Sequence, residues 1–246
     1  MSPSSSQTSS FKYLDIIMAF FVAVLIVSNV ASSAKIVDTG FVFPFINVPL
    51  IFDGGTLLFP LAYVFGDIIT EVYGFRASRR VIWTGFAALA LSAVVFFLLR
   101  ILPAEAEWEE YAGSAAFEAI LGGMSSGGIV LASLLGYWAG EFSNSMVLSK
   151  MKVLMKGRLL FVRTIGSTLV GEFLDSFIFF LAACFTGVFP WALFWSLIIT
   201  NCFLKCAIEA VLTPATYQAV KRLKKAEGID TYDVGLRFNP FKQQED

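Results

Sequence analysis

Residues 165–185 read IGSTLVGEFLDSFIFFLAACF. The run is apolar and long enough to cross a bilayer, since ~20 helical residues at ~1.5 Å each cover a hydrocarbon core of ~30 Å. Within it, Gly171-Glu172-Phe173-Leu174-Asp175-Ser176 sets two carboxylates one helical turn apart. An ionisable side chain at the centre of a spanning helix costs roughly 2.5–3.5 kcal/mol even on lenient insertion scales, so it normally faces a partner, a cavity or a substrate. The word recurs upstream as Gly140-Glu141-Phe142-Ser143-Asn144-Ser145, with Asn in place of Asp, again inside an apolar run.

Composition places both words in a polytopic, all-α membrane protein: 57% of the 246 residues are hydrophobic, 15% are charged, and the apolar residues fall in long runs. Histidine is absent, which removes Ser-His-Asp and Cys-His catalysis, His-ligated zinc and histidine proton relays. Cys184, Cys202 and Cys206 lie in apolar segments without metal-site spacing and read as small buried residues. No cofactor or metal is expected. An intramembrane enzyme using paired acids is disfavoured, because no Gly-x-Gly-Asp motif is present. The net charge of −1 hides an uneven distribution, but nothing in it suggests a nucleic-acid surface.

Taken in order, residues 1–12 read as a disordered, Ser-rich N-terminal tail. Residues 13–220 read as one domain of six transmembrane helices, and 221–246 as a cytoplasmic C-terminal tail. Span one covers Leu14 to about Ala34. A cleaved signal peptide competes for this stretch, but Lys12 alone is a weak basic region and the rest of the chain remains membrane-bound. Its far end carries a polar stripe of Ser28, Asn29, Ser32, Ser33 and Lys35. Ile36 to Gly55, with Pro44, Asn47, Pro49 and a Gly-Gly pair, reads as a lid or re-entrant segment, or simply as a long hydrophobic loop. Span two, Thr56–Tyr73, places Asp67 and Glu71 on one helical face. Span three is Val81–Ile101, followed by an acidic loop over Pro103 to Glu118 with room for a short amphipathic helix. Span four, Ile129 to about Leu148, carries the small pair Gly136 and Gly140, which lets another helix approach closely. Span five runs from about Ile165 to Phe185 and span six from Trp191 to about Leu212, with a soluble segment after Pro214.

Basic loops follow spans two, four and six, so the positive-inside rule puts both termini in the cytoplasm. Asp67, Glu141 and Glu172 each lie nine residues from a basic residue at the cytoplasmic side, namely Arg76, Lys150 and Arg163. That spacing predicts three carboxylates at one depth, ~13–14 Å from the marker and near the midplane. Span six adds Asn201, Lys205 and Glu209 on one face. Lys205 can neutralise one acid, and a buried network that only fixes helix register is one account of the set. A single lysine does not compensate three or four acids, however, and a wet or substrate-filled cavity accounts for the excess. Carboxylates and amides among many aromatic rings suit a flat polar ring compound, such as one with a guanine-like donor edge.

The run from Asn29 through Lys35, then Phe59-Pro60, Gly66-Asp67-Ile68-Ile69-Thr70-Glu71-Val72-Tyr73-Gly74 and Arg79, resembles the queuosine precursor transporter family. Arg163 through Thr168, Glu172, Asp175-Ser176, Phe179, Lys205 and Thr213-Pro214-Ala215-Thr216-Tyr217 fit the same pattern, so the resemblance covers nearly all of the chain from Asn29 to Phe241. These six-span bacterial proteins are also described as vitamin uptake transporters. The resemblance implies a fold similar to the substrate-binding subunits of energy-coupling-factor transporters and, in the bacterial inner membrane, import of a 7-cyano- or 7-aminomethyl-7-deazaguanine. It implies a deazapurine and the lipid bilayer as partners and leaves a homo-oligomer open. The alternative is a passive binding subunit served by an ATPase partner, which is less favoured. Many members carry Gln where Glu141 and Glu172 stand and Asp where Asn144 stands. Which acid reads the base edge is therefore open, with Asp175 ahead of either glutamate. The expected assignment puts Asp175 and Glu172 on the base edge, Glu141 and Asn144 on the opposite wall, and Asn29 and Asn201 at the site. Asp67, Glu71, Lys205 and Arg163 are expected in gating, coupling or charge balance, with Arg76 and Arg79 near enough to pair with Glu71.

Overall fold

The computed structural model describes residues 11–43, 48–187 and 190–241. Eight helices are described: α1 (Leu14–Ala34), α2 (Phe59–Tyr73), α3 (Phe75–Ile101), α4 (Ala106–Tyr111), α5 (Gly113–Ser125), α6 (Gly127–Leu154), α7 (Leu160–Phe185) and α8 (Phe194–Glu227). Six helical segments are long and apolar enough to cross a membrane, so the all-α polytopic architecture expected from composition is the one found. Large apolar side chains stand exposed along α3 (Leu91, Val94, Phe97, Leu98) and α8 (Trp195, Ile199, Phe203), as lipid-facing surfaces require. Helix α2 is the enclosed one, buried without a break from Gly66 to Tyr73.

Glycine spacing sets the central crossing of α6 and α7. A Cβ on Gly140 would stand 3.0 Å from the Gly171 carbonyl oxygen, and one on Gly171 would stand 3.0 Å from the Gly140 carbonyl oxygen and 2.8 Å from Asn144 Cβ. Contacts that tight form only where both helices lack a side chain, which is how small residues bring membrane helices together. Each glycine opens one copy of the repeated word, so the crossing brings the two words face to face.

Three segments differ from the sequence expectation. Within Ile36 to Gly55, expected as a lid, a re-entrant segment or a long loop, the described residues form strands: β1 (Ile36–Phe43) and β2 (Val48–Asp53) pair antiparallel with a register shift between Asp38 and Val42, and Gly54–Leu57 adds one 3₁₀ turn. β-branched residues favour strands, and Pro49 is tolerated because a two-stranded hairpin has only edges. Pro44 and Asn47 lie outside the described residues. Helix α5 has no counterpart in the expected spans. It packs on α1 and α3 and breaks from α6 at Ser126, whose backbone is extended. Finally, Pro214 does not end the last span, and α8 runs on to Glu227. The Thr213 hydroxyl donates to Glu209 O (2.9 Å) and that of Thr216 to Leu212 O (3.3 Å), engaging carbonyls beside the position where proline lacks a donor.

Of the tail expected over residues 1–12, residues 1–10 lie outside the described residues. Phe11 packs edge-on against Tyr73 with centroids 4.9 Å apart, and the Lys12 amide donates to Glu227 Oε2 (3.0 Å), which sets the start of α1 beside the end of α8. The segment beyond α8 folds back over that end as a strap. Asp233 Oδ2 accepts from the Phe75 amide (2.9 Å), a free donor in the first turn of α3, and from the Ser149 hydroxyl (2.5 Å). Trp83 Nε1 donates to Pro240 O (2.9 Å), and Phe241 lies 5.9 and 5.5 Å from the Trp83 and Trp138 rings. Asp230 accepts from Lys152 (2.5 Å) and lies 2.8 Å from Lys224. Its partial burial works to raise its carboxyl's pKa, but the bonds to the two lysines prevail and hold it below the ordinary aspartate value.

Asp233→Ala leaves the Phe75 amide and the Ser149 hydroxyl unpaired, a loss of about 1–3 kcal/mol. It is expected to lower the melting temperature in detergent and to open residues 228–241 to protease. Acid acts on the same strap through Asp230. A carboxyl held low contributes stability that is complete above its unfolded pKa of about 3.9 and is lost as pH falls below it, so strap protection measured by proteolysis is expected to fade only below that value.

Candidate substrate cavity

A cavity of about 450 Å³ lies in the half of the bundle that carries the hairpin. Asn29, Ser32 and Ser33 reach it from α1, Phe59 and Tyr63 from α2, and Tyr137 and Glu141 from α6. Asp175, Phe179 and Phe180 come from α7, and Thr200, Asn201 and Lys205 from α8. Each acid stands where it does because of the α6–α7 crossing, which places Glu141 and Asp175 just to either side of the glycine contact.

Lys205 organises one wall. Its Nζ lies 2.9 Å from Asp175 Oδ2, to which it donates, and 2.8 Å from Glu172 Oε2, where the contact is ionic and out of line for a hydrogen bond. The same ammonium lies 5.3 Å from the Phe59 ring centroid, a cation–π contact. Among the described residues the opposite wall has no such cation. Glu141 is buried, its Oε2 has no partner among the described residues, and that oxygen would be 3.1 Å from a Cβ on Gly66 of α2.

Not all the expected site residues reach this space. Asp175, Glu141, Asn29, Asn201 and Lys205 line it, while Glu172 and Asn144, expected on its walls, stand behind it. Glu172 is drawn to Lys205. Asn144 Nδ2 instead donates to Asp67 Oδ1 (2.9 Å), tying α6 to α2. The aromatic walls carried no individual expectation, because a Tyr or Phe at helical spacing looks the same in lipid and in a cavity. Met124 was missed along with α5.

A second cluster closes the terminal end. Arg163 donates to both oxygens of Glu71, through Nη1 to Oε2 and Nη2 to Oε1 (3.2 Å), in the two-pronged geometry suited to guanidinium and carboxylate. The arginine is 1% exposed, so it marks a buried pair and not a headgroup depth. Lys156 and Leu159 hold φ of 51°, and the turn they form presents Gly157 O and Arg158 O to the same guanidinium at 3.3 and 2.9 Å. Lys224 donates to Glu71 Oε1 (2.7 Å). Lys152 Nζ uses three donors, on Glu71 O (2.6 Å), Asp230 Oδ1 (2.5 Å) and Thr231 O (2.7 Å). Among the described residues Glu71 therefore pairs with Arg163, Lys224 and Lys152, where Arg76 and Arg79 were the expected partners. Lys152 had read as a loop residue, and only the extension of α6 to Leu154 buries it.

A membrane-embedded helical bundle with a polar and aromatic cavity, and with its buried charges paired off toward one end, has the build of a small-molecule transporter. The chain belongs to the family described as "Putative vitamin uptake transporter", which matches residues 53–219. A curated relative, "Probable queuosine precursor transporter" of Bacillus subtilis (strain 168), is 28% identical over 175 residues, covering 70% of this chain and 73% of the relative. No solved structure matches the chain. The protein is a multi-pass membrane transporter and not an enzyme.

Removing one partner of a buried ion pair costs about 3–5 kcal/mol, because the remaining charge loses its compensation. Lys205→Met strands Asp175 and Glu172 and is expected to lower the melting temperature sharply. Adding Glu172→Gln to that variant is expected to recover part of the loss, and a double variant no more stable than the single one contradicts the shared-cation arrangement.

Proposed function

We propose that the protein imports a 7-deazaguanine precursor of queuosine, the 7-cyano or 7-aminomethyl form, across the bacterial inner membrane into the cytoplasm. The observation that carries this reading is the cavity itself, whose volume falls within the usual ~300–1,000 Å³ of small-molecule sites. It combines aromatic side chains with carboxylates and amides, a lining suited to a flat, polar, largely uncharged ring. The relative named as a queuosine precursor transporter supports the same substrate class. Both termini lie in the cytoplasm in this reading, since the basic side chains Arg163, Lys152 and Lys224 gather at their end of the bundle. The cavity then lies toward the outer face, and the Glu71 cluster with the strap forms the inner seal. Asp175 and Glu141 meet the substrate, Asn29 and Asn201 flank it, and Lys205 with Glu172 sets the charge of the wall. Asp67 and Asn144 link α6 to α2 between the cavity and the inner seal.

Uptake of labelled precursor in a strain without its own importer tests the reading. Wild type is expected to restore uptake and Asp175→Asn to reduce it by about tenfold or more, the effect of losing one charge-assisted hydrogen bond. Unchanged uptake by Asp175→Asn sinks the assignment of this cavity. Vesicles reconstituted with this chain alone separate a self-sufficient carrier, which fills them, from a binding subunit that depends on an ATPase partner, which does not. For the inner seal, Glu71→Gln removes the carboxylate shared by Arg163 and Lys224. It is expected to lower uptake while leaving calorimetric affinity for the precursor within about twofold, or ~0.4 kcal/mol.

A further inference from the structure

Asp67 stands one turn after Tyr63, which lines the cavity, and one turn before Glu71, which centres the terminal cluster. It is buried, and Glu209 of α8, also buried, comes against it where α2 packs on α8. The two carboxyls lie within hydrogen-bonding reach of each other. Each is also fixed from a further helix: Asn144 Nδ2 of α6 donates to Asp67 Oδ1 (2.9 Å), and the Thr168 hydroxyl of α7 donates to Glu209 Oε1 (2.6 Å). Four helices thus converge on one carboxyl pair.

The surroundings supply no cation to it. The titratable groups near the pair are Glu141 on α6, Glu172 on α7, Tyr63 and Glu71 on α2, and Cys206 on α8, with Lys205 one turn before Glu209. The Lys205 ammonium is engaged with Asp175 and Glu172, while Arg163, Lys152 and Lys224 are engaged with Glu71 and Asp230. Helices α1 and α3 also pack on α2 but carry titratable side chains only near their ends.

Two carboxyls in contact and out of water do not both ionise, so such a pair holds one proton between them. Hydrogen bonding gives the same answer. With both ionised there are acceptors only, and Asp67 Oδ2 has no partner among the described residues. One proton turns the contact into an O–H···O bond that ties α2 to α8. Its loss leaves two anions pushing these helices apart, one turn along α2 from the carboxylate at the centre of the seal.

We infer that Asp67 and Glu209 form a proton-binding site, and that the importer carries one proton inward with each substrate molecule, bound by this pair from the outer side and released to the cytoplasm. The inference rests on the import reading above and adds its driving force. Only the O–H bond of the pair is made and broken, and the proton released inside is the one taken up outside.

Vesicles reconstituted with this chain alone, loaded with a pH-sensitive dye and held at zero membrane potential, test the coupling with labelled 7-cyano-7-deazaguanine, which is uncharged. With the outside about one pH unit more acid than the inside, wild type is expected to concentrate the label about tenfold, the free energy of one proton moved through that gradient. The dye is expected to report proton entry when precursor is added. Asp67→Asn replaces the shared proton with a fixed amide donor, and Glu209→Gln does the same from the other side. Both variants are expected to go on exchanging labelled for unlabelled precursor, with the concentration ratio falling to unity.

Wild type that reaches the same ratio with and without the pH gradient overturns the inference alone, as does accumulation that follows a sodium gradient instead. A variant that keeps the wild-type ratio, or a folded one that loses exchange as well, also overturns it. Where a single variant does not fold, the double variant Asp67→Asn, Glu209→Gln restores an amide–amide hydrogen bond with no proton to release, and it is expected to exchange without accumulating. Failure of all three to fold makes the pair a structural one and overturns the inference. Wild type that takes up no precursor under any gradient overturns the import reading and the inference with it.

Discussion

The contact of Gly140 with Gly171 is the constraint on which the rest depends. In lipid, helices gain little from apolar burial against each other, so close approach of backbones and polar contacts between them decide which pairs form. Here the approach is so close that a methyl group on either glycine would meet the opposing carbonyl at 3.0 Å. Because each glycine is followed at once by a glutamate, the crossing also fixes the depth of Glu141 and Glu172. It brings Asn144 under Asp67 and sets Asp175 against Gly136 and Gly140. Packing and site are thus one feature of the sequence.

Charge is divided along the bundle axis. Toward the hairpin, Glu172 and Asp175 share Lys205, while Glu141 has no ion pair among the described residues. Toward the termini, Glu71 and Asp230 are met by Arg163, Lys152 and Lys224. The terminal cluster is nearly saturated: Lys152 spends three donors and Glu71 accepts on both oxygens, the condition under which buried charges hold a structure together. Away from that cluster donors are short, and among the described residues Glu141, Glu172, Asp67 and Asn144 each keep an oxygen without a hydrogen-bond partner. That contrast divides the buried polar groups into a nearly saturated set toward the termini and an unsaturated set toward the hairpin.

The spans, the repeated word and the special position of Lys205 were legible in the sequence because each rests on a local cost, that of charge in lipid. What was not legible depends on tertiary placement. Helix α5 begins amid acidic, small and glycine residues that are equally at home in a loop, and only packing on α1 and α3 makes it a helix. Pro214 is an ordinary stop signal, yet α8 continues through it to Glu227. The strap has a soluble composition and owes its order to donors exposed by other elements, namely the Phe75 amide, Trp83 Nε1 and Lys152. The acids themselves were found, but their division into paired and unpaired was not, since that division turns on which side of Lys205 each one stands.

Helix α2 joins the two ends. Tyr63 lines the cavity and Gly66 underlies Glu141. One turn on, Asp67 is held by Asn144, and another turn brings Glu71 into the terminal cluster, while Val72 O accepts the strap's Thr231 amide (3.3 Å). Its last two turns are buried throughout and are closed by Gly74 against α3, so little slack exists to absorb a local shift. A helix with its backbone hydrogen bonds intact moves as a body. The cavity and the seal are far apart in chemistry, one short of donors and the other saturated, yet a single helix carries residues of both.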